Sequence, residues 1–378
     1  MESHQLTSLS ALPQLATGDW RLATDPWQVA TMILTFGAAL GVCAGLLPLV
    51  GRIAVHLGLV DRPGKDRMTT RPLPRIGGVA LYLAFLVGLG VTFVLPVDRT
   101  FDPTETGRLA LLVIGASIVF LVMLADDALD LAPRLKLGWQ IGAALLVTLP
   151  AVWGPGRGIV ISDFRFPLLG TVDLPLWLAI PFTVFWIAGM MNTINWIDGL
   201  DGLAGGVTLI ASGVLFVHTY FQPAETRQYT IALLALLLGG CVAGFLPFNW
   251  HPARIIMGDC GAMFLGFALA TISIIGGAKL ATTMLALAIP ILDVAWLIVA
   301  RLLRRQSPME RDVSHLHHRL YELGLSQRQV VSIYYGLCLA FGALALLLDE
   351  TLSKLIALLV AAAVLALLLL VLARVRPS

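Results

Sequence analysis

The sequence predicts an all-α polytopic membrane protein with about eleven transmembrane helices. Hydrophobic residues make up 58% of the 378 residues and charged residues only 13%, whereas soluble domains carry about 25% charged residues. Mean hydropathy is +0.87. The apolar runs are continuous and do not alternate as the strands of a transmembrane β-barrel do. So few charged residues cannot cover a water-soluble surface, so soluble, fibrous and disordered classes are excluded. A helical membrane protein remains, because helices satisfy their own backbone hydrogen bonds in lipid.

Eleven apolar stretches are long enough to cross about 30 Å of hydrocarbon as helices. They lie near residues 29–50, 76–96, 109–125, 138–153, 175–191, 206–221, 230–248, 261–276, 280–302, 330–348 and 354–373. The loop near 154–174 alternates apolar and polar residues between Gly and Pro, which predicts a small periplasmic β-hairpin. We therefore divide the chain into an outer tail (1–28), one transmembrane domain (29–373) and a cytoplasmic tail (374–378).

Basic residues indicate the orientation. The loops after the odd-numbered stretches, together with the C-terminal tail, hold 17 of the 25 Lys and Arg residues. By the positive-inside rule this side is cytoplasmic, with the N-terminus outside and the C-terminus inside. The first 26 residues contain a single basic residue, Arg21, so the first stretch is expected to be a retained helix and not a cleaved leader. The four widely spaced cysteines predict no disulfides.

Adjacent carboxylates end the third apolar stretch, at Asp126 and Asp127. Two neighbouring carboxylates repel each other and stay ionised together only where cations or hydrogen-bond donors compensate them. One interpretation is a pair of solvated charges at a helix end. The other is a divalent-metal or acid/base site, and the two acidic residues alone do not decide between them.

Four polar residues recur every three positions after the fifth stretch: Asn192, Asn195, Asp198 and Asp201. In a helical or 3₁₀ segment they share a face. Hard oxygen ligands of this kind suit Mg²⁺, which binds through one or two carboxylates and substrate phosphates. A turn that only ends a helix is the alternative, but four polar residues in one register favour a ligand site.

The cytoplasmic loop before the eighth stretch places Asp259 at a helix start, in the sequence Gly258-Asp259-Cys260-Gly261. The residue is a candidate metal ligand, or alternatively a helix N-cap. Arg254 in the same loop either holds a phosphate or only obeys the positive-inside rule.

The loop after the ninth stretch carries a stripe of cationic and hydrogen-bond-donating side chains. On a helix, Arg311, His315 and Arg319 stand four residues apart, with His317 and His318 between them. Such donors are suited to phosphate oxygens. A zinc site would need further ligands in a tetrahedral array, and a basic loop facing anionic lipid would not require histidines.

An ionisable residue also lies inside the ninth stretch, at Asp293, about ten residues from its inner end. Intramembrane carboxylates indicate function by default. Pro290 frees backbone groups nearby, so a structural hydrogen-bonding role fits equally well. We therefore do not place Asp293 in the main site.

Together these segments resemble the bacterial polyprenyl-phosphate N-acetylhexosamine-1-phosphate transferases, which are related to phospho-MurNAc-pentapeptide translocase. Five motifs carry the resemblance, in order and all on the predicted cytoplasmic face. They are the loop Asp61–Gly78 with P-x-P-R-I-G-G, Asp126-Asp127, the run Asn192–Ala204, M-G-D-x-G at Met257–Gly261, and H-L-H-H-R-L at His315–Leu320. The chain departs from the family at Cys260 and Ala262, where relatives commonly carry serine.

The resemblance implies transfer of a sugar-1-phosphate, most simply GlcNAc-1-phosphate, from a UDP-sugar to undecaprenyl phosphate, releasing UMP. It implies Mg²⁺ as cofactor, with Mn²⁺ as a substitute. The implied catalytic residues are Asp126, Asp127, Asp198, His317 and His318. The implied substrate-binding residues are Asn192, Asn195, Lys136, Arg75, Arg254, His315 and Arg319. The implied metal ligands are Asp259, Asp198, Asp201 and Asp127.

The implied location is the bacterial inner membrane, with the site on the cytoplasmic face. The implied partners are the UDP-sugar and the lipid phosphate, with a homodimer left open and no nucleic acid. A secondary transporter is the main alternative, but it would place its charges near the membrane midplane on repeated halves. An intramembrane aspartyl protease is less compatible, because residue 256, two positions before Gly258, is isoleucine and not glycine.

Overall fold

The computed structural model is almost entirely helical, with two small antiparallel strand pairs. It describes residues 26–61, 72–95, 103–166, 170–221, 228–275, 279–305, 316–348 and 351–374. The first eight helices are α1 (Pro26–His56), α2 (Gly78–Val94), α3 (Pro103–Leu129), α4 (Pro133–Thr148), α5 (Leu176–Ile197), α6 (Leu203–Tyr220), α7 (Tyr229–Asn249) and α8 (Gly258–Ile275). The remaining helices are α9 (Leu280–Ala286), α10 (Ala288–Leu303), α11 (Leu316–Glu322), α12 (Gln327–Leu347) and α13 (Thr351–Arg374).

The apolar helices support a polytopic membrane protein. Within the described ranges, eight helices are long and apolar enough to span a membrane, or nine if α9 and α10 form one bent span. Two apolar segments are shorter than that: α2 (Gly78–Val94) and the segment Leu352–Leu367 within α13. Each of the eleven predicted stretches contains helix within the described residues, but eleven crossings and the orientation of the termini remain predictions.

The ninth predicted stretch is not one straight helix. Helices α9 and α10 meet at Leu287 with a bend of 83°. Pro290 lies three residues beyond the break and has no N–H to donate to Ala286, where α9 ends. Hydropathy alone could not reveal the bend, because the residues on both sides of it are apolar.

Helix α8 forms the centre of the molecule. Every residue from Cys260 to Ile275 is buried, and α8 packs against α2, α3, α5 and α7. At Gly266 a side chain would overlap the backbone of Met190 and Met191 in α5. Small residues allow this close helix packing in membranes. In contrast, α1 and α13 expose many large apolar side chains.

The predicted β-hairpin is confirmed by strands β3 (Asp163–Phe166) and β4 (Gly170–Asp173), which pair antiparallel with Asp163 opposite Asp173. A second pair was not predicted: β1 (Val60–Asp61) pairs antiparallel with β2 (Leu73–Pro74). All four cysteines are free and buried.

Candidate active site

Asp127 links the end of α3 to the start of α8. Its carboxylate accepts hydrogen bonds from the backbone N–H groups of Asp259 and Cys260, each at 3.0 Å. The first N–H groups of a helix have no partner within the helix, so a carboxylate is well suited to receive them. The contact places Asp259 directly beside the Asp126-Asp127 pair, although 132 residues separate Asp259 from Asp127.

Arg75 lies between the carboxylates of Asp127 and Asp259 and contacts both. Its Nε lies 3.1 Å from Asp127 Oδ1, and its Nη2 lies 3.3 Å from Asp259 Oδ1. Burial alone would lower the pKa of Arg75, but the charges of Asp127 and Asp259 outweigh it and raise that pKa above its ordinary value. Arg75 is therefore a fixed cation between two acidic groups.

Backbone pairing places Arg75 in this position. Ile256 N–H donates to Pro74 O at 2.8 Å, Gly77 N–H to Ile256 O at 2.9 Å and Gly78 N–H to Met257 O at 2.8 Å. A side chain at Gly78 would overlap Gly261 N and Cys260 Sγ. The Pro- and Gly-rich loop that the sequence singled out thus holds α2 against the start of α8.

Gly258 is required by both its conformation and its surroundings. Its φ is +76°, a region that side-chain-bearing residues rarely adopt. A Cβ there would overlap Arg75 O and lie 2.7 Å from Asp127 Oδ2. The glycine therefore allows the Asp127 carboxylate to reach the start of α8.

Lys136 supplies the second cation of the cluster. Its Nζ lies 2.6 Å from Asp126 Oδ2 and 3.2 Å from Asp259 Oδ2. Asp126 Oδ1 in turn accepts the backbone N–H of Leu131 at 2.8 Å. Asp126, Asp127, Asp259, Arg75 and Lys136 thus form one connected group, which we call the carboxylate cluster.

Asp198 lies just beyond the end of α5, near the carboxylate cluster. Burial, followed by the negative charges of Asp259, Asp127 and Asp201, raises the pKa of Asp198 well above its ordinary value. A group under such repulsion favours a bound cation, which would compensate the excess negative charge.

Asn192 faces α4. Its Nδ2 donates to Gln140 Oε1 at 2.6 Å and to Ala188 O at 2.8 Å. Gln140 lies four residues after Lys136, on the same face of α4. The hydrogen bond between Asn192 and Gln140 therefore connects α5 to α4, the helix that carries Lys136. Asn195, one turn later in α5, is half-buried.

Asp201 holds a turn in place. Its Oδ2 lies 2.7 Å from His251 Nδ1 and accepts the backbone N–H of Ala253 at 3.0 Å. Asn249 strengthens the same junction, since its Oδ1 accepts the N–H of Gly202 and its Nδ2 donates to Ile255 O. One oxygen of Asp201, which the sequence suggested as a metal ligand, is therefore engaged by protein donors.

The contacts described above do not include the other predicted site residues. Arg254 is exposed, and Arg319 is half-buried on α11. His315 lies outside the described residues. The backbone of His317 and His318 lies in α11, but their side chains are not described.

Sequence reasoning missed Gln140, Asn249 and Tyr335. The Tyr335 hydroxyl donates to Gly202 O at 2.5 Å, so that α12 supports the turn after Asp198. Gln140 and Asn249 are polar residues in mainly apolar stretches of the sequence, and Gln140 stands four residues from Lys136. That signal could have identified these two, but nothing near Tyr335 in the sequence indicates its contact.

The donor chemistry fits Mg²⁺ without a complete protein cage. Within the part of the chain that the structure describes, no three His, Cys, Asp or Glu side chains converge closely enough to hold a metal ion. Mg²⁺ commonly takes one or two carboxylates and completes its shell with water and substrate phosphates. Asp198 and Asp259 are carboxylates of that kind.

Comparison with known proteins identifies the class. A family model described as glycosyl transferase family 4 matches residues 109–277, a stretch that contains Asp126, Asp198 and Asp259. The chain belongs to the family of bacterial polyprenyl-phosphate N-acetylhexosamine-1-phosphate transferases, which is related to the phospho-N-acetylmuramoyl-pentapeptide transferases.

Individual relatives agree with that assignment. The chain is 32% identical over 311 residues to a probable undecaprenyl-phosphate N-acetylglucosaminyl 1-phosphate transferase of Bacillus subtilis, covering 81% of each chain. It is 34% identical over 322 residues to a decaprenyl-phosphate N-acetylglucosaminephosphotransferase of Mycobacterium leprae, covering 78% of each. It is 26% identical to a phospho-N-acetylmuramoyl-pentapeptide-transferase of Staphylococcus saprophyticus, covering 80% of this chain and 92% of the relative.

Proposed function

We propose that this protein transfers GlcNAc-1-phosphate from UDP-GlcNAc to undecaprenyl phosphate, forming undecaprenyl-pyrophosphoryl-GlcNAc and UMP. The observation that carries the proposal is the carboxylate cluster, in which Asp126, Asp127 and Asp259 meet Arg75 and Lys136. The relatives that share 32% and 34% identity are named for N-acetylglucosaminyl phosphate transfer to a polyprenyl phosphate, which favours GlcNAc over other sugars.

The reaction brings together a diphosphate and a phosphate. An oxygen of the lipid phosphate attacks the β-phosphorus of the UDP-sugar, and the bond from that phosphorus to the bridging oxygen breaks, so that UMP leaves. Several negative charges approach each other, and cationic donors lower the barrier by stabilising them. Arg75 and Lys136 are such donors, and the motif His317-His318-Arg319 supplies more on α11.

A divalent cation completes this charge balance. We assign Asp259 and Asp198 as the residues that hold Mg²⁺, with Mn²⁺ as a substitute. When bound, the ion polarises phosphoryl oxygens and neutralises charge on the diphosphate. Burial first, and then the negative charges of Asp259, Asp127 and Asp201, raise the pKa of Asp198. A bound cation would compensate those charges, which supports the assignment.

Asp127 is a positioning group in this scheme, and transfer is a direct displacement. Both Asp127 oxygens accept backbone N–H groups at the start of α8, and Oδ1 also contacts Arg75. A phosphoryl group on either oxygen would break those contacts. Asp126, which contacts Lys136, is left to orient the lipid phosphate or accept its proton.

The apolar tail of the acceptor has to stay in lipid while its phosphate reaches the carboxylate cluster. The cluster is built from helix ends and an adjoining loop, at the end of the bundle that the distribution of Lys and Arg assigns to the cytoplasm. We therefore place the reaction at the cytoplasmic face of the inner membrane. A transporter would need its carboxylates near the membrane midplane, whereas Asp126, Asp127 and Asp259 lie at helix ends.

The test is UMP release by the purified protein in lipid nanodiscs, with UDP-GlcNAc, UDP-GalNAc and other UDP-N-acetylhexosamines supplied separately. We expect UMP release with UDP-GlcNAc only when both undecaprenyl phosphate and Mg²⁺ are present. Faster UMP release with another UDP-sugar would show that this sugar, and not GlcNAc, is the preferred substrate. No UMP release from any of the UDP-sugars would refute the proposal.

A further inference from the structure

Asp293 is buried in α10, with 1% of its surface exposed. Burying an ionised carboxylate is costly unless donors compensate it. The proposed reaction assigns no role to Asp293, which belongs neither to the carboxylate cluster nor to the turn held by Asp201. Its retention in an apolar helix therefore calls for a specific partner.

Such a partner lies on α11. Asp293 Oδ1 accepts the backbone N–H of Leu316 at 2.9 Å, and Oδ2 lies 3.5 Å from the hydroxyl of Tyr334 in α12. Leu316 is the first residue of α11, the helix whose backbone includes His317, His318 and Arg319. One carboxylate thus connects α10 and α12 to the start of the histidine-bearing helix.

Helix α11 needs an external support. It has only seven residues, and isolated helices of this length are unstable in water. Leu316 and Leu320 are buried, with 1% and 8% of their surfaces exposed, so they attach one face of α11 to the core. Apolar contacts are not directional, whereas a hydrogen bond to a backbone N–H fixes both the distance and the orientation of the chain.

We propose that Asp293 is a positioning residue that sets the location of the His317-His318-Arg319 segment for phosphate binding. The inference rests on the proposed function for the role of that segment, but not for the anchoring itself. Asp293 does this as the acceptor of the Leu316 N–H. Small misplacements of catalytic groups lower rates by about 100-fold.

Two variants separate these roles. Asp293→Asn keeps an oxygen that can accept the Leu316 N–H and an amide group that can donate to Tyr334. Asp293→Leu keeps the branched shape of the side chain, with a larger volume, but has no acceptor. If Asp293 positions α11 as an acceptor, Asp293→Leu should lower kcat/KM for UMP release about 10- to 100-fold, and Asp293→Asn should lose clearly less. Equal losses in both variants would overturn the proposal, because only Asp293→Asn keeps an oxygen that can accept the Leu316 N–H.

Hydrogen–deuterium exchange measures how firmly α11 is anchored, independently of enzyme activity. In Asp293→Leu the amides of residues 316–322 should exchange at least several-fold faster, while those of 258–266 at the start of α8 should not change. Thr208→Val is the matched control, since the buried Thr208 hydroxyl bonds only Ala204 O of its own helix. It should alter neither region.

The exchange experiment keeps the two proposals apart. Unchanged exchange at residues 316–322 in Asp293→Leu would refute the anchoring, whatever the enzyme does. If exchange rises as expected but the wild type releases no UMP with any UDP-sugar, the anchoring is right and the proposed function is wrong.

Discussion

Asp127 is the residue whose contacts most constrain the site. Both of its oxygens accept N–H groups of α8, and Arg75 contacts Oδ1. Asp127→Asn replaces one acceptor by an NH₂ group that faces a donor and removes the charge that Arg75 pairs with. We expect the initial rate of UMP release to fall about 100-fold or more, measured with saturating UDP-GlcNAc.

The matched control is Asp173→Asn, the same chemical change at an exposed residue of the β-hairpin. It should leave the rate unchanged. Turnover close to that of the wild type in Asp127→Asn would remove this carboxylate from the site, provided that the two variants are recovered from membranes in equal amounts.

The raised pKa of Asp198 predicts that metal binding depends on pH. Its pKa is raised by burial and by the charges of Asp259, Asp127 and Asp201, so at low pH the carboxyl is protonated. A metal ion binds the deprotonated form and must displace the proton. The apparent affinity should therefore weaken as pH falls, by up to about tenfold per pH unit for one displaced proton.

Mn²⁺ serves as the probe, and electron paramagnetic resonance counts the free ion as the pH is lowered from the alkaline side. Asp198→Asn should bind Mn²⁺ more weakly than the wild type and lose much of the pH dependence. Equal Mn²⁺ binding with equal pH dependence in the two proteins would exclude Asp198 as a ligand.

At the scale of helices, the site depends on how closely α2 approaches α8. Gly78 is at the contact, where an added methyl group would overlap Gly261 N and Cys260 Sγ. Gly78→Ala should force the helices apart and cost about 1–3 kcal/mol of stability. Because Arg75 lies three residues before Gly78, activity should fall as well. Thermal denaturation in detergent and UMP release measure the two effects.

Gly90 provides a control on the same helix. An added Cβ there meets no atom within 4 Å, and alanine is the better helix former by about 0.5–1 kcal/mol. Gly90→Ala should therefore raise the melting temperature slightly and leave activity unchanged. A melting temperature for Gly78→Ala at or above that of the wild type would contradict the proposed close contact.

Part of this arrangement could be predicted from the sequence. Acidic residues at the ends of apolar helices on one predicted side implied a common site, because every membrane-spanning helix has one end at that face of the membrane. Asp127 and Asp259 do meet there. The contact of Asp293 with Leu316 could not be predicted, since it depends on the 83° bend between α9 and α10.

Asp201 shows another limit of reading by spacing. The interval of three residues from Asn192 to Asp201 suggested one shared ligand face. Helix α5 ends at Ile197, however, and Asp198 and Asp201 lie in the turn that follows. The regular helical register therefore stops between Asn195 and Asp198, and one oxygen of Asp201 contacts His251 and Ala253 instead.

At the scale of the whole molecule, the buried helix α8 organises the reaction. It contacts α2, α3 and α5, and its first turn receives Asp127, Arg75 and Lys136 around Asp259. In the proposed reaction the polar end of α8 lies at the membrane surface, and the surrounding apolar helices lie where the lipid tail of the acceptor stays. The fold would thus bring a water-soluble donor to a membrane-bound acceptor.

The central claim is that the sugar moves together with its phosphate. It is tested most directly with UDP-GlcNAc labelled with ³²P at the β-phosphorus, purified protein, Mg²⁺ and undecaprenyl phosphate. Phosphoryl transfer predicts that the label enters the butanol-extractable lipid, in equal amount to the unlabelled UMP formed. Label that stays in the aqueous phase as UDP, with only the sugar in the lipid, would contradict the account.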